Sequence, residues 1–319
     1  MTTSFKINLR RGMAVTGKWK RNRYQVERLL GEGANGKVYL VQRDRSWYAM
    51  KVGADAVDLQ SEINVLQALA KQEKPGGRSR QDTLPGGANG EPFLIDVDDL
   101  YGPDGREYSF YIMRYVRGVT LSEYLSQNGK EWFPLVGLNL LNKLAALHSK
   151  GWVFGDLKVE NVLVADYGYV ELVDYGGATA AGRGIRQFTE IYDRGYWNAG
   201  SRSADAKYDL FSFGVLCLQL LEPKKLQQLT AGLPQNRSIE ELLQLSKENE
   251  TLKPVSEWLH RALTGDFWDA AEGAEAWRLL MHRRQLRRRS DTPGWLKGLA
   301  AVSAVLLGVS VYWLIRGGL

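Results

Sequence analysis

Phe154-Gly155-Asp156-Leu157-Lys158-Val159-Glu160-Asn161, followed eighteen residues after Asp156 by Asp174-Tyr175-Gly176, gathers three acids, a lysine and an amide into a short span. The span follows a segment with helical spacing, Leu135–Ser149. Towards the N-terminus the pattern changes to strands over Tyr24–Leu30, Val38–Val41 and Trp47–Val52. Gly31-Glu32-Gly33-Ala34-Asn35-Gly36 separates the first two of these strands. Gly-x-Gly-x-x-Gly also marks dinucleotide-binding folds, but there the glycines close a strand and open a helix. Between two strands they form either an ordinary glycine turn or a hairpin whose tip folds over phosphates. Lys51 points inward from an apolar strand and needs an acidic partner, because an unpaired buried charge is costly. Glu62, on the helical pattern Val57–Ala70, is the better candidate and Asp58 the weaker. A loop rich in glycine, proline and arginine is expected over Glu73–Glu91. Strands over Phe93–Leu100 and Tyr108–Tyr115 are expected to join through the turn Gly102-Pro103-Asp104-Gly105. Beyond Leu121 the spacing is mainly helical, over Tyr208–Leu221, Ile239–Leu245 and Val255–Leu263 as well. Strands first and helices after predict an α+β fold in two lobes.

At this point the chain resembles the eukaryotic-type (Hanks-type) protein kinases. Asp156-Leu157-Lys158-x-x-Asn161 is similar to their catalytic loop, and Asp174-Tyr175-Gly176 to their D-F-G metal motif. Tyr48-Ala49-Met50-Lys51 resembles the V-A-I-K strand, and Asp209-Leu210-Phe211-Ser212-Phe213-Gly214 the motif that anchors the catalytic loop from below. The resemblance covers residues 24 to 280. It implies an antiparallel N-lobe sheet with one helix, a mainly helical C-lobe, and ATP-dependent phosphorylation of protein hydroxyls. Asp156 would accept the proton of the substrate hydroxyl, and Lys158 would neutralise charge on the γ-phosphate. Asn161 and Asp174 would hold Mg²⁺, with Mn²⁺ able to substitute. Lys51, fixed by Glu62, would grip the α- and β-phosphates, and the backbone of Gly31, Glu32, Gly33, Ala34, Asn35 and Gly36 would cover them. Val38, Ala49, Met113 and Tyr115 complete the implied ATP pocket, with Met113 as its gate and Arg114-Tyr115-Val116 as the hinge. Lysine two places after the aspartate is the serine/threonine pattern.

The chain also departs from the family. Gly155 stands where most members have an arginine that reads a phosphate on the activation segment, so activity is expected not to require that phosphate. The A-P-E motif is missing, and Leu263–Asp269 lacks the arginine that would pair with its glutamate. Both absences together imply a rewired segment. Thr189 is either a substrate-contacting threonine or a plain surface residue. Gly155-Asp156 also echoes small-molecule phosphotransferases, which makes such an enzyme one rival reading. A membrane-anchored pseudokinase scaffold is another, opposed by the retention of Lys51, Glu62, Asp156, Asn161 and Asp174.

The 319 residues are 44% apolar and 24% charged, with a formal net charge of +6. That excludes a disordered or fibrous chain and makes anionic partners plausible. Cys217, the only cysteine, lies in an apolar run and reads as a core residue in a reducing compartment. Met1–Arg11 lacks the apolar region of a secretory signal. Gly298–Ile315 runs eighteen residues without a charge, at about 1.5 Å per residue roughly the hydrocarbon thickness of a bilayer. Trp295 stands near one end and Tyr312-Trp313 near the other, as at headgroup level. A buried core helix is the alternative. Arg283, Arg284, Arg287, Arg288, Arg289 and Lys297 precede this stretch and only Arg316 follows, which places the bulk in the cytoplasm and the C-terminus outside a cell membrane. The expected layout is a basic lead (1–23), a kinase domain (24–281, lobes meeting near 116/117), a basic juxtamembrane segment (282–297), a transmembrane helix (298–315) and a short tail (316–319). This layout resembles the tail-anchored, sensorless sporulation-associated kinases of spore-forming bacteria. Expected partners are proteins with serine or threonine, anionic lipid, and a second copy for autophosphorylation. DNA is a further candidate, held by Lys18, Lys20, Arg21, Arg23, Arg283, Arg284, Arg287, Arg288 and Arg289.

Overall fold

A computed structural model of the chain describes residues 7–71, 93–186, 189–233, 237–250, 252–290 and 294–316, without the side chains of 284–290, 294, 296 and 297. The expected loop over Glu73–Glu91 lies outside the described residues, as do the side chains of Arg284, Arg287, Arg288, Arg289 and Lys297.

Six strands form the first sheet: β1 (Ala14–Thr16), β2 (Arg23–Gly33), β3 (Gly36–Arg43), β4 (Ser46–Gly53), β5 (Leu94–Tyr101) and β6 (Glu107–Arg114). Their order is β1-β2-β3-β4-β6-β5, and each pairing is antiparallel. The period-two alternation of β4 and β6 sorts their residues between two cores. Tyr48, Met50, Val52, Phe110 and Ile112 face one side with Tyr24, Val26 and Tyr39. Ala49, Tyr111 and Met113 face the other, where helix α1 (Ala56–Lys71) lays down Leu59, Ile63 and Leu66. Lys51 shares the parity of Ala49 and so points at α1.

The sheet begins upstream of Tyr24. Ile7, Leu9 and Val15 are buried in the core opposite α1, covering a face that would otherwise lie open. Two cations of this lead are paired within the fold: Lys18 Nζ donates to Glu107 at 2.8 Å, and Lys20 Nζ to Asp96 at 2.6 Å. Arg21 and Arg23 are exposed. The buried Asp96 carboxylate also accepts from Asn22 Nδ2 and from the Tyr24 hydroxyl. Burial alone would raise this carboxyl; the hydrogen bonds from Lys20, Asn22 and Tyr24 outweigh it and hold the pKa below its ordinary value. A depressed folded-state pKa stabilises above the unfolded value and is lost as pH falls through the folded one. Asp96→Asn is therefore expected to lower the melting temperature at neutral pH and to flatten its decline below about pH 4, read from thermal melts across that range.

The C-lobe contains β7 (Val119–Thr120), α2 (Leu121–Asn128), α3 (Phe133–Ser149), β8 (Trp152–Val153), β9 (Val162–Val164), β10 (Val170–Leu172) and β11 (Thr179–Ala180). These are followed by α4 (Ala206–Leu221), α5 (Pro223–Thr230), α6 (Ile239–Glu248) and α7 (Ser256–Thr264). Helix α3 starts two residues before the expected Leu135, with Pro134 in its first turn, where the missing N–H is harmless. A Ser238/Glu241 capping box opens α6 and left-handed Gly265 closes α7. Helix α4 is buried on nearly all sides and carries Cys217 at full burial, which pushes the thiol pKa well up.

The chain divides into two compact units, Met1–Ala274 and Glu275–Leu319, with α8 (Ala270–Ser290) crossing the division and α9 (Gly294–Arg316) ending the second. Gly298–Arg316 is long and apolar enough to cross a membrane by length and composition, and none of it is buried in a protein core.

Candidate active site

Lys51 and Glu62 are both buried, and Lys51 Nζ donates to Glu62 Oε2 at 2.6 Å. Asp58 is exposed, so Glu62 is the partner. Lys51 Nζ also donates to Asp174 Oδ1 at 2.7 Å. Burial disfavours the Lys51 charge, but Glu62 and Asp174 outweigh it and hold the ammonium. Burial would likewise raise Asp174; the Lys51 charge and hydrogen bond hold it below its ordinary value. Asp174 follows β10 in a left-handed conformation, φ 63° and ψ 77°, unusual for a residue other than glycine.

A second group forms in the loop after β8. Lys158 Nζ donates to Asp156 Oδ2 at 2.6 Å, and the Thr189 hydroxyl donates to Asp156 Oδ1 at 2.8 Å. Asn161, in the short turn Val159–Asn161, donates its Nδ2 to the Asp156 carbonyl at 2.9 Å. Thr189 therefore contacts the catalytic-loop aspartate and is not a plain surface residue. Beneath this loop lies Asp209, fully buried in α4, which accepts from the backbone N–H of Phe154 (2.7 Å) and Gly155 (2.9 Å) and pairs with His148 Nε2 (2.8 Å). Phe154 and Tyr175 stack edge to face at 5.5 Å, tying the two motifs together.

The glycine stretch is a tight hairpin. Gly31, Glu32 and Gly33 finish β2, Ala34-Asn35 make the tip, and Gly36 starts β3. At Gly36 (φ +143°) a Cβ would lie 2.2 Å from the Val52 carbonyl oxygen, so the fold itself requires glycine. At Gly31 and Gly33 a Cβ would meet nothing, so packing within the chain does not explain those glycines. Val38, Ala49 and Met113 pack in one cluster with Leu30, and Tyr115 follows β6 directly. The Arg114 side chain turns to the C-lobe, donating to the buried Glu171 at 2.6 Å, where Lys143 and the Tyr169 hydroxyl also converge.

Gly155 has φ +79°, and a Cβ there would lie 2.5 Å from the Gly177 carbonyl oxygen. Backbone geometry accordingly demands glycine at this position. The glutamate–arginine pair that the family resemblance leads one to seek has substitutes. Glu190 pairs with the buried Arg237 at 2.6 Å, and Arg194 forms a bidentate pair with Asp205 at 2.7 and 2.9 Å. Fully buried Asp193 accepts from Arg202 and from the Tyr208 hydroxyl. The Tyr208 bond ties the segment from Thr189 to Asp205 to α4, Glu190–Arg237 ties it to the stretch before α6, and the Arg194–Asp205 and Arg202–Asp193 pairs brace it internally.

Sequence reasoning missed Tyr111, whose hydroxyl donates to Glu62 Oε1 at 2.9 Å. The signal was its parity: it stands two residues before Met113 and so on the same face of β6. Chemically, the site offers an aspartate held by a lysine and a threonine, a second lysine between two carboxylates, and carboxylate and amide oxygens suited to a hard cation. Among the described residues no group of three acidic, histidine or cysteine side chains could hold a metal by itself. Two protein oxygens completed by phosphate and water is the usual arrangement for Mg²⁺.

The protein kinase domain family matches residues 88–271. The chain is 36% identical over 272 residues to the serine/threonine-protein kinase YabT of Bacillus subtilis (strain 168), covering 85% of this chain and 75% of that one. It is 25% identical over 218 residues to the serine/threonine-protein kinase PrkC of the same organism, covering 65% of this chain and 31% of PrkC. Among solved structures, vaccinia related kinase 3 matches with a TM-score of 0.60 at 18% identity, over 89% of this chain and 94% of that one.

Proposed function

Given that the chain belongs to the protein kinase domain family and is a serine/threonine protein kinase, we propose that it transfers the γ-phosphate of ATP with Mg²⁺, at the cytoplasmic face of a membrane and without a phosphorylated activation segment. The observation that carries this is the joined state of the site. Lys51 holds Glu62 and Asp174 at 2.6 and 2.7 Å while Asp156 is held by Lys158 and Thr189.

In this reading Lys51 binds the α- and β-phosphates, and Glu62 keeps its ammonium in place. Asp174 and Asn161 would hold Mg²⁺, which when bound would supply charge neutralisation at the phosphates. The Asn161 nitrogen is committed to the Asp156 carbonyl, and its amide oxygen remains for the cation. Asp156 orients the acceptor hydroxyl and takes its proton; Lys158 stabilises charge on the phosphoryl group in flight. Gly31 and Gly33 leave the hairpin backbone bare above the phosphates. The ion pairs of Glu190, Arg194 and Asp193 support an activation segment ordered by its own side chains, consistent with glycine at 155.

Helix α9 supports a membrane anchor. Arg283, Arg284, Arg287, Arg288 and Arg289 directly precede it in sequence and suit anionic lipid headgroups, at about 1 kcal/mol each near the surface. DNA is the weaker reading of the cations, because Lys18 and Lys20 already hold Glu107 and Asp96. Adding duplex DNA at low salt is expected to leave the phosphorylation rate unchanged, and a salt-sensitive rise would reverse that ranking.

The deciding measurement is incorporation of labelled γ-phosphate from ATP by the full-length chain in detergent, alone and with a basic protein. Label on serine or threonine that ceases on chelation of divalent cations is expected. Tight nucleotide binding with no protein label would favour the scaffold, or a small-molecule acceptor.

A further inference from the structure

We infer that Tyr111 is a positioning residue that locks Glu62, and with it helix α1, in the joined state, so that the N-lobe supplies its own bias towards activity. This rests on the kinase reading of the site. Lys51 and Tyr111 stand directly opposite each other in the register of β4 and β6, on the face that packs against α1. Glu62 descends from α1 between them. Its Oε2 accepts from Lys51 Nζ at 2.6 Å, and its Oε1 accepts from the Tyr111 hydroxyl at 2.9 Å. Each carboxylate oxygen therefore has its own donor, on its own strand, and the group cannot rotate without breaking one of the two bonds.

Space-filling does not explain the hydroxyl. The cluster around Tyr111 is Ala49, Leu59, Ile63, Leu66 and Met113, and a phenylalanine ring would fill the same volume. A hydroxyl placed among such side chains is costly unless bonded, and Glu62 is its acceptor. If α1 swings outward and carries Glu62 away, Lys51 retains Asp174, but the Tyr111 hydroxyl is left buried without that acceptor. The displaced state is thereby penalised from within the lobe, whatever the condition of the activation segment. Such a device fits a chain in which Gly155 cannot report a phosphate.

The test is a cycle of Tyr111→Phe, Glu62→Ala and the double variant in the full-length chain in detergent. Steady-state ATP kinetics would be read alongside affinity for a fluorescent Mg·ATP analogue. Tyr111→Phe is expected to raise the ATP KM roughly tenfold with kcat changed less than about twofold, the pattern of lost ground-state binding. On the Glu62→Ala background the same change is expected to add nothing. An equal effect on both backgrounds, or no effect in the wild-type background, would overturn the proposal. Should Glu62→Ala abolish turnover, analogue affinity gives the same comparison. Absence of phosphate transfer by the wild type would count against the kinase reading instead, and the affinity cycle would still decide the role of Tyr111.

Discussion

Asp156→Asn is expected to cut phosphate transfer by about 10³-fold while leaving nucleotide affinity within about twofold. Asparagine keeps the shape of the side chain and one oxygen, so either Lys158 or Thr189 retains an acceptor and the loop keeps its place on Asp209. What disappears is the carboxylate proposed to take a proton from the acceptor hydroxyl. The group of Lys51, Glu62 and Asp174, proposed above to meet ATP, is bonded independently and should be unaffected. Single-turnover transfer beside a nucleotide titration separates the two quantities. A variant that retains more than about a tenth of wild-type transfer would move the base role away from Asp156.

Gly155→Arg introduces the arginine that the family resemblance leads one to expect here, and it is expected to inactivate the chain. At φ +79° an L-residue costs roughly 1–2 kcal/mol before any contact is considered. The new Cβ would also stand 2.5 Å from the Gly177 oxygen and 3.3 Å from Ile185 Cδ1. Backbone cannot give way there as a flexible side chain would, so a total loss near 3 kcal/mol or more is expected. Because Asp156 is the next residue, the loop that relaxes is the one that positions the proposed base. Transfer should fall more than about 100-fold, with a lower melting temperature and no gain of phosphorylation dependence. Gly155→Ala should show the same direction with a smaller effect, since it adds only the Cβ. A stable, active arginine variant would show that the loop has another conformation within reach.

The motifs that form the site were legible because each is short and carries its chemistry in adjacent residues. Glu62 could be preferred over Asp58 on pattern, but burial decided between them: Glu62 lies on the α1 face with Ile63 and Leu66, whereas Asp58 is in the exposed first turn. Partners far apart in sequence could not be read. Lys18 and Lys20 look like solvated cations until β5 and β6 bring Asp96 and Glu107 beside them, 76 and 89 residues away. Glu190 and Arg237 meet in the same way, where the sequence suggested only an absent pair. Strand β1 is three residues long, too short for any periodicity to register. The demand for glycine at 155 depends on Gly177, a neighbour that exists only in the folded chain.

Cys217 has a practical consequence of a different kind. It is the chain's single thiol, fully buried in α4 with its pKa pushed well up, so thiol-directed reagents should ignore the native protein. A cysteine introduced at an exposed site then becomes the sole target of a spin label or fluorophore. Val57, 74% exposed in the first turn of α1, is such a site. A probe at Val57→Cys would report any displacement of that helix in real time, with no background label to subtract.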